Sequence, residues 1–294
     1  MVGALACLLT LMGSSGGRSR TDPYADPKFV RELRAGLDAF YGREFSKARA
    51  DFVAAHDSAP ADAFAMSLVD AAAANMGSAA LAALTDRAEA AVVRHPKNAR
   101  AQAELGFAYL FERQTEPGRA EDAKDALNAA LAAAPSMACA HVGLGIYRLS
   151  RASTNRAKLE FLAALRSEPH DVLAQEYLAV IYQHDLDDPE RALSYIVSVP
   201  NFVTNYADGY YRLGSIMRDL RQYEAAEAYL RTAIDLDRGH VGEAGRFGLP
   251  LLGDVYVAMR RFDEAKKAFA QAVVYGEEPA YSQAQLEKIK HGNV

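Results

Sequence analysis

Apolar positions along most of the chain recur three and four residues apart, with polar residues filling the opposite side of each turn. That spacing puts the apolar residues on one helical face. In "RLGSIMRDLRQYEAAEAYLRTAIDLD" (212–237) the pattern reads as two helices bent at Leu220-Arg221-Gln222. No segment alternates with the period of two expected of a half-buried strand bounded by turn residues. The expectation is an all-α fold.

Small residues interrupt the apolar faces at regular places. Gly214, Ala226, Leu230 and Ala233 are separated by steps of 12, 4 and 3 residues. The same steps return as Gly36, Ala48, Phe52, Ala55; as Gly145, Ala157, Phe161, Ala164; and as Gly253, Ala265, Phe269, Ala272. Pro60 and Pro169 each follow five residues later in the first two of these. Three looser copies fill the gaps: Asp70, Leu84, Ala88, Ala91, Pro96, which lacks the glycine; Gly106, Ala123, Leu127, Ala130, Pro135, stretched by "RQTEPGR"; and Ala179, Ala192, Ile196, Val199, stretched by "HDLDDPE". Seven units follow, at 29–62, 63–98, 99–137, 138–171, 172–206, 207–240 and 246–279, within a repeat region of 27–292. Glycine or alanine at the contact positions lets two antiparallel helices approach closely.

This pattern resembles the tetratricopeptide repeat (TPR), a helix–turn–helix unit of 34 residues with Leu-Gly, Tyr, Ala, Phe and Pro positions. Leu105-Gly106 with Tyr109, Leu144-Gly145, Leu213-Gly214, and Leu252-Gly253 with Tyr256 carry the likeness. Phe45, Tyr223 and Phe262 supply the aromatic three residues before the second-helix alanine. The tryptophan common in the family is absent throughout. The resemblance implies a right-handed superhelical solenoid in which neighbouring hairpins bury one another. "PAYSQAQLEKIKHG" (279–292) then reads as an amphipathic capping helix over 280–291. Its Lys288, Lys290 and His291 suit a helix C-terminus.

Composition adds little to this and excludes some functions. Half of the 294 residues are apolar, and the net charge of −5 comes from interleaved rather than clustered charges. A nucleic-acid surface needs a basic stripe, and none is present. The N-terminal run "VGALACLLTLM" (2–12) is too short to span a bilayer, but it has the form of a secretory h-region within a leader and linker over 1–26. Ala4-Leu5-Ala6-Cys7 loosely resembles a bacterial lipobox. Any membrane attachment is therefore expected through this leader or a lipid on Cys7. The expected place is the bacterial periplasm or envelope, with the cytoplasm as the alternative.

Catalytic chemistry is hard to find. The seven histidines form no HExxH and none pairs with a cysteine at ligand spacing, so neither metal nor cofactor is expected. In "HDLDDPE" (184–190), Asp188-Pro189-Glu190 reads as a helix start rather than a cation loop. "VGEAGRFGLP" (241–250) reads as an extended loop between units, and Cys139 as an inert thiol, either buried or facing the groove.

The expected function is a non-enzymatic scaffold that captures a protein or peptide, with no small-molecule substrate. Carrying the family's inward positions onto this chain gives an apolar N-terminal groove of Val30, Leu33, Leu37, Phe40, Phe107, Leu110, Phe111, Val142, Ile146 and Leu149. It gives a polar C-terminal end of Glu176, His184, Tyr211, Arg218 and Asp219. The clamp for chaperone C-termini is disfavoured, since Leu33, Leu37, Ser67, Ala71, Ala103 and Phe107 occupy its positions. A regulatory or substrate-presenting subunit of an enzyme complex is the alternative reading.

Overall fold

The computed structural model describes residues 22–113 and 116–292, so the leader and Cys7 lie outside the described residues. Those described fold into helices without a strand among them. Six of the seven units are helical hairpins: α1 (Pro27–Tyr41) with α2 (Phe45–Ser58), α3 (Ala63–Met76) with α4 (Ser78–Arg94), α5 (Ala99–Glu112) with α6 (Arg119–Ala133), α7 (Ala138–Ser150) with α8 (Thr154–Ser167), and, skipping one, α12 (Ala207–Asp219) with α13 (Tyr223–Leu236) and α14 (Glu243–Ala258) with α15 (Phe262–Tyr275). Helix α16 (Pro279–Lys290) packs on α15 at the C-terminal end.

The repeated small residues do what their spacing implies. A Cβ built on Gly36 would lie 2.4 Å from the Phe52 ring, and one on Gly145 2.5 Å from the Phe161 ring. Gly214 and Gly253 stand in the same relation to Leu230 and Phe269, each at 2.6 Å. Each glycine is therefore the floor on which the large residue of the second helix rests. Phe52, Phe161 and Phe269 are fully buried as a result.

The fifth unit departs from a plain hairpin. Helix α9 (Val172–Val180) widens into a π-turn over Ile181–Asp185, and the return is split into α10 (Pro189–Ile196) and α11 (Val199–Phe202). Asp188 caps α10 by accepting the Arg191 N–H at 3.0 Å, with Pro189 in the first turn. One extra residue in "HDLDDPE" is absorbed by the wide turn, as π-bulges commonly do.

One expectation fails here. "VGEAGRFGLP" is not an extended loop, because α14 begins at Glu243 and runs through Pro250. The buried Asp237 carboxylate explains the early start: it accepts the N–H groups of Val241 and Gly242 at 2.9 Å and of Gly245 at 2.8 Å. Asp208 accepts Ala244 N–H at 3.1 Å. These bonds satisfy the free donors of a helix N-terminus.

The superhelix closes on itself. Helix α3 packs against α7 and α9 across what would be an open groove. Phe64 meets Tyr206 edge-on at 4.8 Å, and Tyr24 lies 5.8 Å from Phe202. The Asn205 side chain donates to Arg34 O and to Asp38 Oδ1, both at 2.8 Å, while Gly239 N–H donates to Tyr41 O at 2.8 Å. A terminal repeat has an apolar face with no neighbour to cover it. Here the first two units cover theirs on the fifth and sixth.

Candidate functional site

This closure decides which predicted groove residues can meet a partner. Leu33, Leu37 and Val142 are fully buried, Phe107 and Leu110 are 1% exposed, and Phe40 and Ile146 are 8% and 9% exposed. Val30, Phe111 and Leu149 are half-buried, and Val30 and Leu149 pack on the core. The expected open apolar patch is thus interior. Gly143 gives the local reason: a Cβ there would lie 3.3 Å from the Phe107 ring, so the ring seats against the next unit instead of facing a groove.

The polar end remains open. A cleft of about 450 Å3 lies between α9, α12 and α14, with Leu173, Tyr177 and Val180 on its apolar side. Glu176, His184, Tyr206, Arg212 and Glu243 supply its polar side. Glu176 is half-buried and His184 exposed, while Tyr211 and Arg218 are half-buried and Asp219 is exposed. Four of the five predicted polar residues therefore gather on or beside α12 and the π-turn, and Glu176 sits deeper on α9.

Two groups not anticipated from sequence organise the cleft. Arg212 is 7% exposed, donates through Nη2 to Glu243, and leaves Nε without a hydrogen-bond partner. Tyr206 donates its hydroxyl to Glu176. Burial raises the Glu176 carboxyl above the usual range, and Glu243 adds to this while Arg212 opposes it. Burial and the positive charges of Arg212 and Arg218 lower the His184 imidazole. Gln183 spans the floor beyond, donating to Ser215 Oγ at 2.8 Å and Asp219 Oδ2 at 2.6 Å. Arg212 escaped the sequence reading because it lies one residue past Tyr211 on the helix, a register at which a side chain turns into the core. Its signal was a charged residue inside an otherwise apolar stripe.

The arrangement presents hydrogen-bonding groups of both signs in a cleft with one apolar wall. Among the described residues, no group of three or more His, Cys, Asp and Glu is placed to hold a metal ion, and no helix is long and apolar enough to cross a membrane. Cys139 is buried.

Two family models, both of the tetratricopeptide repeat, match residues 207–240 and 251–290. No curated protein matches the chain. Among solved structures it is similar to a chain of the APC/C hetero-tetramer Cut9–Hcn1, at 16% identity and a TM-score of 0.65, over 84% of this chain. It spans 46% of that chain, about half its length. It is similar to YrrB, described as a TPR protein with an unusual peptide-binding site, at 16% identity and a TM-score of 0.53, over 68% of this chain and 97% of that one. It also resembles PilF of Pseudomonas aeruginosa, at 17% identity and a TM-score of 0.52, over 89% of this chain and 98% of that one. At these identities the likeness is one of fold.

Proposed function

The chain is a tetratricopeptide repeat protein, and we propose that it works without catalysis, as an assembly scaffold that captures a protein segment in the polar cleft between α9, α12 and α14. The observation that carries this reading is Arg212, a buried guanidinium only partly paired, beside Glu176 and Glu243 in an open cleft. Charged groups held rigid at a concave surface fix the register of a bound segment more than its affinity. Leu173, Tyr177 and Val180 supply the apolar contact. A peptide-binding site is what the description of YrrB reports of that protein. The "VGALACLLTLM" run supports an envelope setting for this scaffold, which intact mass of the mature protein tests directly.

The cleft is tested with a photo-crosslinking residue placed at His184 or Val180, and at Leu159, which is 63% exposed on α8, as control. Partners crosslinked from the cleft positions and not from Leu159, and lost in Arg218→Glu, support the reading. Equal capture from Leu159 overturns it.

A further inference from the structure

The second hairpin breaks the contact rule that the others keep. Where the other plain hairpins set a glycine beneath a large side chain, this one has Asp70 on α3. The position taken by Phe52, Phe161 or Phe269 elsewhere is Ala88 on α4. A ring resting on glycine has become a methyl group near a carboxyl group. The lost ring volume is not refilled. A cavity of about 200 Å3 opens among α2, α3, α4 and α5, with Val53, Met66, Val69 and Leu84 in its walls.

Two buried polar groups line this cavity with bonding capacity unused. Asp70 is 4% exposed, and its Oδ2 has no hydrogen-bond partner. His56 is 7% exposed; its Nε2 lies 3.2 Å from Glu104 Oε1, while Nδ1 has no partner. In the tautomer whose Nε2 donates to the carboxylate, Nδ1 is an acceptor. Burial, Glu104 and Glu112 hold the Asp70 carboxyl well above the ordinary range, against the pull of Arg49, and an ammonium group arriving beside it supplies the charge that favours the ionised form. Toward solvent the lining changes sign. Arg87 and Arg94 are exposed there, whereas Arg100 is already engaged by Asp57 at 3.0 Å and Glu104 at 2.6 Å.

We propose that this cavity binds a small zwitterion of the α-amino-acid type, whose ammonium group donates to Asp70 Oδ2 and His56 Nδ1 while its carboxylate meets Arg87 and Arg94. An ammonium group carries three donors and no acceptor, which suits two acceptors on a buried floor. Guanidinium groups at the opening suit a carboxylate. The apolar walls leave room for an aliphatic side chain and little more, since the cavity is smaller than the roughly 300–1,000 Å3 of drug-sized sites. A peptide N-terminus shares the ammonium group but has no carboxylate beside it, so a free amino acid fits the mouth better. This ligand was not foreseen from the sequence, where no small molecule was expected. The site lies apart from the polar cleft of α9, α12 and α14, so it stands independently of segment capture there.

The test is thermal denaturation and titration calorimetry of the full chain with each of the twenty free amino acids, and with N-acetyl and C-terminal amide forms of any that bind. At least one aliphatic amino acid is expected to raise the melting temperature, with binding weakened by about tenfold or more on acetylation or amidation. Asp70→Asn and the pair Arg87→Ala with Arg94→Ala are each expected to lose the response. Asp70→Gly with Ala88→Phe restores the contact of the other hairpins, and should stay helical while binding nothing. No binding by any of the twenty overturns the proposal, as does unchanged binding by the filled variant. Equal binding of the amide form overturns the free amino acid in favour of a peptide N-terminus.

Discussion

Asp171, the N-cap of α9, acts on Asp62, the N-cap of α3, across the closure of the superhelix. Asp62 Oδ1 accepts Ala65 N–H at 2.7 Å and Oδ2 accepts the Tyr24 hydroxyl at 3.1 Å, while Asp171 Oδ1 accepts Ala174 N–H at 2.8 Å. Both carboxyl groups are buried, at 4% and 1% exposure. Burial first, and then the charge of Asp171, raise Asp62 to about 7; burial raises Asp171 to about 6. Closing the ring therefore brings together two acids that resist ionising at the same time.

A pH dependence follows, and its sign is fixed. In the unfolded chain both groups ionise near 3.8, whereas the folded chain keeps protons to about 6 and 7. The folded state binds more protons between these limits, so the pair's contribution to stability is complete below about pH 4 and falls as pH rises toward neutrality. The melting temperature should fall by several degrees between about pH 5 and about pH 8. Asp62→Asn with Asp171→Asn should reduce that slope. Asp208, raised to about 7 chiefly by burial and Glu176, and Asp70, held well above the ordinary range by burial, contribute to what remains, and Asp208→Asn should reduce it further. A slope of the opposite sign in the parent chain would contradict the assignment.

The hairpin contacts make a paired prediction. Gly145→Ala pushes a methyl group into the Phe161 ring, and overpacking of this kind costs about 1–3 kcal/mol. Seven residues on, Ala152 holds a φ of 52° in the turn between α7 and α8. A left-handed conformation costs an L-residue roughly 1–2 kcal/mol that glycine avoids, less the chain entropy glycine loses on folding. Ala152→Gly should thus be neutral or stabilising by up to about 1 kcal/mol. Urea denaturation of both variants checks that two small residues exchanged within one hairpin act in opposite directions.

Phe107 separates a groove residue from a core residue. At 1% exposure and seated against Gly143, its truncation to alanine should cost about 3–5 kcal/mol. Phe107→Asp buries a charge without a partner and should abolish the cooperative thermal transition. Circular dichroism decides: intact helix content and an unchanged melting temperature in Phe107→Asp would place the ring in an open groove after all.

The repeat was legible in the sequence because it is a local rule. Gly36 with Phe52 and Gly145 with Phe161 encode one helix pair each, and a fixed spacing displays it. Of the polar residues taken from inward register, Glu176 and His184 line the cleft while Tyr211, Arg218 and Asp219 do not, and Arg212 needed the packing of three helices to reveal it. Closure was not legible. The contacts of Asn205 with Arg34 and of Phe64 with Tyr206 join residues far apart in the chain, and no spacing records them. That is why apolar residues such as Leu33 and Phe107 read as an open face.

The closure itself can be weakened at two points that lie outside the hairpins it joins. Asn205 Nδ2 binds Arg34 O and Asp38 Oδ1, so Asn205→Ala removes two hydrogen bonds, worth about 1 kcal/mol each. Gly239 approaches so closely that a Cβ would lie 2.5 Å from Tyr41 O, the acceptor of its own N–H, so Gly239→Ala must move α1 away. Both changes act on the same contact by different means, one by lost bonding and one by volume. Hydrogen exchange should therefore quicken over residues 27–41 in both variants and stay unchanged in α15 and α16, because opening free energies differ between cooperative parts of a fold. With the ring loosened, Leu33, Leu37 and Phe64 meet water, and a dye that reports exposed apolar surface should bind the double variant more strongly than the parent. Uniformly faster exchange along the whole chain would mean instead that the closure is inseparable from the stacking of the repeats.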